Sequence, residues 1–201
     1  MDLIFNILIR TSERPGLFSQ CVKSVELQDY ENYKIIVSAD TKRTLEYVKN
    51  YDVEIVRTVW TKRRTTNHCP WNGYFNNMLR VVDPGWVIYL DDDATLVPGA
   101  LKEITERVKK NKLLIWKYRF ANGRVIPEKQ FWGARPTRQH IDTGCFAHHT
   151  SHRVKWDNAR AADYRVARNL YTRLGAEWYD KVLVEAANNG DNGKRNDSRH
   201  S

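Results

Sequence analysis

The residues with the clearest capacity for chemistry are three consecutive aspartates, Asp91, Asp92 and Asp93. They follow an apolar run, residues 86–90, that predicts a buried strand. Ligands of open α/β sheets bind at the carboxyl ends of the strands, and carboxylate oxygens suit Mg²⁺ or Mn²⁺ carrying a diphosphate. Asp91 and Asp93 are therefore candidate metal ligands, with Asp92 turned away or in contact with a ribose. The alternative is a solvated acidic turn.

The elements that must position these carboxylates alternate between strand and helix. Apolar runs and helical spacing predict strands at residues 3–9, 33–39, 53–59 and 86–90, and helices at 15–28, 41–50, 71–82 and 98–110. This alternation is typical of an α/β fold with a mainly parallel sheet, whose strands are buried on both faces.

The second half of the chain has a different pattern. Asn122 and Gly123 lie between two segments, 113–120 and 124–126, and predict a hairpin. Further along, the pattern predicts a strand at 144–148, a helix at 157–174 closed by Gly175, and an edge strand at 178–186. Residues 188–201 contain no apolar side chain, which predicts a disordered tail or a linker.

Composition limits the function classes. The 201 residues carry 33 Lys and Arg against 24 Asp and Glu, a net charge of +9, which suits nucleic acid, an anionic membrane surface or a phosphate-bearing substrate. The basic residues are scattered along the sequence, which disfavours nucleic acid. No apolar run is long enough for a membrane span, and the first residues lack the features of a signal peptide. Three scattered cysteines predict no disulfide framework, so we expect a cytoplasmic, non-secreted protein.

Three segments in this order, residues 6–15, 35–40 and 88–93, resemble the GT-A fold glycosyltransferases. The likeness is to the large inverting family of cellulose, chitin and capsule-type transferases, with relatives in bacteria and large DNA viruses, and it covers residues 3–186. It implies an α/β GT-A fold with a mainly parallel central sheet, flanking helices and a C-terminal hairpin on the acceptor side. If the chain is viral, the implied location is the host cytoplasm.

The resemblance also implies a domain organisation and an activity. Residues 1–187 would form one domain, with a nucleotide-binding half at 1–110 and an acceptor-side half at 111–187. The activity would be the transfer of a hexose from a nucleotide sugar, a UDP-sugar, to a glycan or a protein-linked glycan. Mn²⁺ or Mg²⁺ would be the cofactor, and the anomeric carbon would be inverted by direct displacement.

By this likeness, Thr11 and Arg14 cradle the nucleoside of the donor, and Asp40 accepts a hydrogen bond from the base. The alternatives are a turn stabilised by Thr11 and Ser12, and a helix N-cap provided by Asp40. Asp91 and Asp92 would contact the nucleotide sugar.

A polar helix over the nucleotide would precede the acidic strand and place Asn76 at the donor. The family often has Ala-Arg-Asn in this helix, but this chain lacks the arginine, and Arg63 or Arg64 would supply the charge. A solvated basic loop is the alternative for these two arginines.

On the acceptor side, the likeness places Gly144 in the wall of the donor-sugar pocket, where a bulge would explain the glycine equally well. His149, or its neighbour His148, would complete the metal site or bind a phosphate. Asp163 is the first candidate for the base that deprotonates the acceptor, although Ala162 replaces the glutamate that usually precedes it. Asp157 is the second candidate, with a helix N-cap as its alternative role.

Two other function classes remain open. A sugar-phosphate nucleotidyltransferase would share the sheet and the carboxylates, but it needs a glycine-rich phosphate loop after the first strand, where this chain has one glycine. A basic nucleotide- or nucleic-acid-binding module without catalysis would make no use of Asp91 or Asp93. A domain that binds nucleotide sugar without turnover is a third reading, prompted by Ala162.

Overall fold

The computed structural model describes residues 3–59, 69 and 71–187. Arg63, Arg64 and residues 188–201 therefore lie outside the described residues. The strands are β1 (Phe5–Thr11), β2 (Tyr33–Ala39), β3 (Glu54–Arg57), β4 (Trp86–Asp91), β5 (Ala94–Leu96), β6 (Leu113–Arg119), β7 (Val125–Ile126), β8 (Phe146–His149) and β9 (Ala176–Ala186). The helices are α1 (Pro15–Glu26), α2 (Lys42–Val48), α3 (Asn72–Met78), α4 (Ala100–Thr105) and α5 (Ala162–Leu174).

The first half forms the predicted parallel sheet, with strand order β3-β2-β1-β4. The inner strands are continuous apolar runs because both faces of the sheet are buried there. Ile7, Leu8 and Ile9 of β1 are fully buried. Helix α1 buries one apolar stripe whose spacing follows the helical period, comprising Phe18, Cys21, Val22 and Val25. The predicted α/β architecture is therefore confirmed.

The strand order creates a switch point beside β1. The chain runs from β1 outward to β2 and β3 on one side, whereas β4 pairs with β1 on the other side. The carboxyl ends of β1 and β4 therefore open onto a crevice between connections that diverge, which is where open α/β sheets bind ligands. Arg10 and Asp91 are register partners at this edge.

In the second half, β8 and β6 continue the sheet in antiparallel pairing, and β9 runs parallel to β6. The predicted hairpin is confirmed, because β6 and β7 pair with Tyr118 opposite Ile126. Gly123 in its turn has a φ of 83°, a conformation that glycine adopts without strain.

Two expectations about the last strands were wrong. Strand β9 is not an edge strand, because it pairs with β6 on one side and with β5 on the other. Strand β5 was not predicted, since its three residues directly follow the aspartates and pair with a segment about 90 residues away. Such a short strand forms only because its distant partner is present.

The predicted boundaries of several other elements also differ from the structure, among them α3, which ends at Met78 and not at residue 82. Helix α5 begins at Ala162 and not at Asp157, and it ends before Gly175 as expected, with a φ of 67° at that glycine. Gly144 lies in a 3₁₀ turn, Thr143–Cys145, so strand β8 starts only at Phe146. Helix α4 is shorter than predicted. None of the helices in the described part of the chain is long and apolar enough to cross a lipid bilayer.

Candidate active site

Asp91 ends strand β4 and is held by Arg10 of the neighbouring strand. Nε of Arg10 donates to Oδ1 of Asp91, and Nη2 donates to Oδ2 at 3.0 Å, which is a bidentate pair. The remaining terminal nitrogen, Nη1, donates to Oδ1 of Asn72 at 2.9 Å, and the guanidinium lies over the ring of Phe75, 4.9 Å from its centroid. Arg10 therefore compensates the charge of Asp91 and fixes its orientation.

Asp92 is fully buried and faces the interior. Its Oδ2 accepts from the hydroxyl of Thr11 at 2.7 Å and from Nε of Arg14 at 3.1 Å, and Nη2 of Arg14 donates to Oδ1. Burial raises the pKa of Asp92 to about 7, although the charge of Arg14 opposes this shift. Of the two placements expected for Asp92, turned away from the ligand or in contact with a ribose, this structure shows the first.

Arg14 also reaches the third aspartate. Its Nη1 donates to Oδ2 of Asp93 at 3.0 Å, so one guanidinium bridges Asp92 and Asp93. Thr11 likewise points inward, because its hydroxyl contacts both Asp92 and the hydroxyl of Tyr47. The three aspartates, residues 91–93, form an acidic cluster. In this structure the side chains of Thr11 and Arg14 bind within this cluster, which is a different placement from the nucleoside cradle expected for them.

Asp40 follows strand β2 at the same edge of the sheet. Its Oδ2 accepts from the hydroxyl of Tyr74 at 2.8 Å and its Oδ1 from the hydroxyl of Thr44 at 3.2 Å. The N-cap of α2 is Thr41, whose hydroxyl accepts from the backbone N–H of Thr44. The alternative role of Asp40 as the helix cap was therefore wrong, and the carboxylate stays at the crevice.

Asp163 lies in the first turn of α5, close enough to Arg10 and Asp91 for both to affect its ionisation. Burial raises its pKa to about 6, and the N–H of Tyr164, which donates to Oδ1 at 2.8 Å, opposes the shift. The structure thus brings Asp163 to the edge that carries Asp91. Hydrogen bonds link Arg10 to the segment before this helix, because the side chain of Asn72 accepts from Arg10 and donates to the carbonyl of Ala159.

One further acidic residue at this site was missed by the sequence reasoning. Asp142 caps the 3₁₀ turn that precedes β8, with Oδ1 accepting from the N–H of Thr143 at 2.8 Å. Its pKa is raised by burial and by the nearby charge of Asp163. An aspartate before a Thr-Gly pair looks like an ordinary turn, so only the folded chain reveals its proximity to Asp163.

Most of the sequence matches the profile of one known protein family. The profile described as "Glycosyl transferase family 2" matches residues 7–153, which include β4, most of β1 and the three aspartates. The chain belongs to glycosyltransferase family 2. Its fold is the GT-A fold, as expected from the resemblance.

Individual relatives are distant. A GalNAc(5)-diNAcBac-PP-undecaprenol beta-1,3-glucosyltransferase of Campylobacter jejuni is 28% identical over 127 residues, which are 62% of this chain and 39% of that protein. Among solved structures, TarS 1-349 of S. aureus superposes with a TM-score of 0.72 at 16% identity, covering 92% of this chain and 60% of that one. The mannosyltransferase PcManGT of Pyrobaculum calidifontis, solved with GDP-Man and Mn²⁺, gives 0.66 at 18% identity, covering 91% and 56%.

These relatives are longer proteins. The chain spans about two fifths of the length of the curated relative and about three fifths of the length of TarS 1-349. At these identities the superpositions establish a shared fold and leave the donor and the acceptor of this family 2 member to be argued from its own residues.

His149 does not reach the acidic cluster, so its assignment as a metal ligand was wrong. Strand β8 runs antiparallel to β4 and pairs His149 with Trp86, at the amino end of β4. Asp91 lies five residues further along β4, about 16 Å away at the rise of a strand. His148, the residue before His149, is buried and forms a hydrogen bond of 2.7 Å with the hydroxyl of Tyr89. Burial lowers the pKa of His148 to about 4.

Asn76 and Gly144 have packing partners within the protein. The amide of Asn76 donates to the carbonyl of Trp156 at 2.7 Å and accepts from its N–H at 2.9 Å. Gly144 is buried, and a Cβ there would lie 2.9 Å from Cε2 of Tyr118 and 3.1 Å from Cγ1 of Val184. The close approach at Gly144 in this structure is therefore to core side chains.

Asp157 is paired at the surface. Its two oxygens accept from Nη2 and Nε of Arg165 at 2.6 Å each, and this bonding lowers the pKa of Asp157. A carboxylate with a lowered pKa is a weak proton acceptor. Of the two candidate bases, Asp163 has the environment that suits the role.

The cofactor implied for this family is Mn²⁺ or Mg²⁺. The described residues contain no group of three or more His, Cys, Asp or Glu side chains placed to hold a metal ion. Mg²⁺, however, is commonly held by one or two carboxylates together with phosphates and water. Asp91 and Asp93, whose side chains are 21% and 11% exposed at the crevice, fit this smaller donor set.

Proposed function

We propose that this family 2 member transfers a sugar from a nucleotide-sugar donor, a UDP-sugar, to a hydroxyl of a glycan acceptor, with inversion at the anomeric carbon. The observation that carries the proposal is that Asp163 lies near enough to Arg10 and Asp91, at the switch point of the sheet, for their charges to act on its ionisation. This supports pairing a group able to accept a proton with carboxylates suited to a metal diphosphate.

The donor would lie across the carboxyl ends of β2, β1 and β4. Asp40, half-buried at the end of β2, is the carboxylate in position to accept from an N–H of the base. Asp91 and Asp93 would hold Mn²⁺ or Mg²⁺. The bound ion would neutralise the charge of the departing diphosphate. Among the solved structures of this fold, TarS has been solved with UDP-GlcNAc, which is the precedent for the uridine donor proposed here, and PcManGT with GDP-Man, which makes a guanosine donor the alternative.

Asp163 would act as the base. With a pKa of about 6 it is ionised at neutral pH and yet more basic than an exposed aspartate. The acceptor oxygen would bond to the anomeric carbon as its proton passes to Asp163, while the bond to the diphosphate breaks and the electron pair leaves with that group. Attack from the face opposite the leaving group inverts the configuration.

The proposal is tested with purified protein, Mn²⁺ and three donors: UDP-GlcNAc, UDP-glucose and GDP-mannose. Release of nucleoside diphosphate is measured with water as acceptor and with a mixture of glycan acceptors. We expect turnover of one UDP-sugar and a loss of about 100-fold or more in Asp163→Asn, while the exposed-surface control Lys49→Gln matches the wild type. Absence of release from all three donors, together with absence of UDP binding, would contradict the proposal.

A further inference from the structure

A basic groove of about 480 Å³ lies on the outer side of helix α5. It is lined by Arg135, Tyr164, Arg165, Arg168, Asn169, Thr172 and Arg173. Four of these seven side chains are guanidinium groups, and the described residues contribute no carboxylate to the lining. The groove therefore combines a concave shape with a strong positive potential.

The groove forms because a loop packs against the solvent-facing side of α5. Nη2 of Arg135 donates to the hydroxyl of Thr172 at 3.1 Å, which fixes the loop beside the last turns of the helix. The apolar residues of α5 face the sheet, and they include Val166 and Leu170. Arg165, Arg168 and Thr172 recur at helical spacing on the opposite side, so they share one face.

Only part of this positive charge is neutralised within the protein. Arg165 is paired with Asp157. Arg135 and Arg173 donate to neutral oxygens, those of Thr172, Arg153 and Asn169, and in the described part of the chain Arg168 has no carboxylate partner. Arginine forks with neutral partners match the oxygens of phosphate and carboxylate groups.

The charge is concentrated in this part of the fold. Residues 133–173 contain eight Lys and Arg against three Asp, which is +5 of the net +9 of the chain. Four of these eight basic residues line the groove: Arg135, Arg165, Arg168 and Arg173. This segment belongs to the acceptor-side half of the chain, residues 111–187.

The groove starts beside the proposed catalytic end of α5. Its first lining residue on this helix, Tyr164, directly follows Asp163, and its last, Arg173, lies about 14 Å further along the helix at 1.5 Å per residue. Asp163 faces the crevice and the groove faces solvent. A ligand in the groove would therefore be the part of an extended acceptor that lies beyond its reacting hydroxyl.

We infer that the groove binds an anionic acceptor chain, a glycan or polyol bearing phosphate or carboxylate groups, and guides its end to Asp163. This inference rests on the proposed function, because it assigns the groove to the acceptor of that reaction. Phosphate and carboxylate share the chemistry that the arginines recognise, and the choice of probes separates the two.

The test measures fluorescence anisotropy of four labelled oligomers of ten units at low and at physiological salt. The probes are poly(glycerol phosphate), oligogalacturonate, neutral maltooligosaccharide and oligothymidylate. The test variant is Arg135→Gln/Arg168→Gln, which changes two exposed arginines, and the control is Arg43→Gln/Lys49→Gln, which removes the same charge from exposed positions on and beside α2. UDP binding is measured in parallel for each protein.

We expect an anionic glycan or polyol to bind most tightly, with affinity falling as salt rises. The groove variant should lose about tenfold in this affinity, since two charged contacts are removed, and the control should match the wild type. A preference for poly(glycerol phosphate) would assign phosphate, and a preference for oligogalacturonate would assign carboxylate.

Three results would overturn the inference: equal binding of the neutral oligomer, unchanged binding by the groove variant, or tightest binding of oligothymidylate. The last result would indicate a nucleic-acid surface. If the wild-type protein does not bind UDP, the proposed function is overturned instead. The anisotropy data would then still report the specificity of the groove. The two failures are thus distinguishable.

Discussion

Arg10 and Asp91 are direct neighbours across the β1–β4 pairing, and the guanidinium of Arg10 donates to both oxygens of Asp91. Arg10 also lies near Asp163, where its charge opposes the rise in pKa caused by burial. One arginine therefore stabilises a proposed donor-side carboxylate and tunes the ionisation of the proposed base.

The first prediction concerns pH. Asp163 acts as a base only when it is ionised, so the rate should rise with pH through about 6 and then level off. In Arg10→Met the positive charge that favours the ionised form of Asp163 is lost. The midpoint of the pH–rate profile should therefore move to higher pH by about one unit. Nucleotide release between pH 4.5 and 8.5 measures this shift. Arg10→Lys, which keeps the charge, should stay near the wild type; an unmoved midpoint in Arg10→Met would contradict the coupling.

The second prediction separates the two candidate bases. Asp163→Asn should lower the rate of transfer by about 100-fold or more and leave UDP affinity unchanged, because a base contributes to the chemical step alone. Asp157→Asn should keep most of the activity, since that carboxylate is paired with Arg165 at the surface. Rates and calorimetric affinities for both variants check this. The reverse ranking would transfer the role of base to Asp157.

The third prediction concerns the buried pair of Arg14 and Asp92. Removing the arginine in Arg14→Ala leaves a buried carboxylate without its cation, which should lower the free energy of unfolding by about 3 kcal/mol. Adding Asp92→Asn to that variant should recover part of the loss, because the uncompensated charge disappears. Urea denaturation at pH 8 measures both changes. Simple additivity of the two substitutions would show that the residues are not coupled.

The fourth prediction tests the packing role of Gly144. In Gly144→Ala the new methyl group would meet the ring of Tyr118 and the side chain of Val184, and the protein should lose about 1–3 kcal/mol of stability. Gly16→Ala is the matched control, since a Cβ there meets no atom within 4 Å. Thermal unfolding of both variants provides the comparison. A wild-type melting temperature for Gly144→Ala would mean that the site has spare room.

The fold could be predicted where the signal is local. The apolar run of β2 gave its limits, Tyr33–Ala39, and the Asn-Gly pair located the β6–β7 hairpin, because both patterns act within a few residues. The pairing of β5 with β9 depends on residues about 90 positions apart, and no local pattern indicates it.

The candidate site was predictable in part for the same reason. The aspartates after β4 mark the edge of the sheet, but their partners Arg10 and Arg14 are about 80 residues away and become visible only when β1 and β4 pair. His149 was misassigned because the antiparallel direction of β8 carries it to the far end of β4. The position of His149 shortly after Gly144 in the sequence does not reveal the direction of strand β8 in the sheet.

The central claim, a metal-dependent nucleotide-sugar site at the ends of β1 and β4, is tested most directly by calorimetric titration of UDP. The titration is made with Mn²⁺ and with EDTA, on the wild type, on Asp93→Asn and on the exposed-surface control Asp52→Asn. We predict that Mn²⁺ tightens UDP binding by about tenfold or more in the wild type and the control, and that Asp93→Asn loses this gain. Equal UDP binding with Mn²⁺ and EDTA, in the wild type and in Asp93→Asn alike, would contradict the claim.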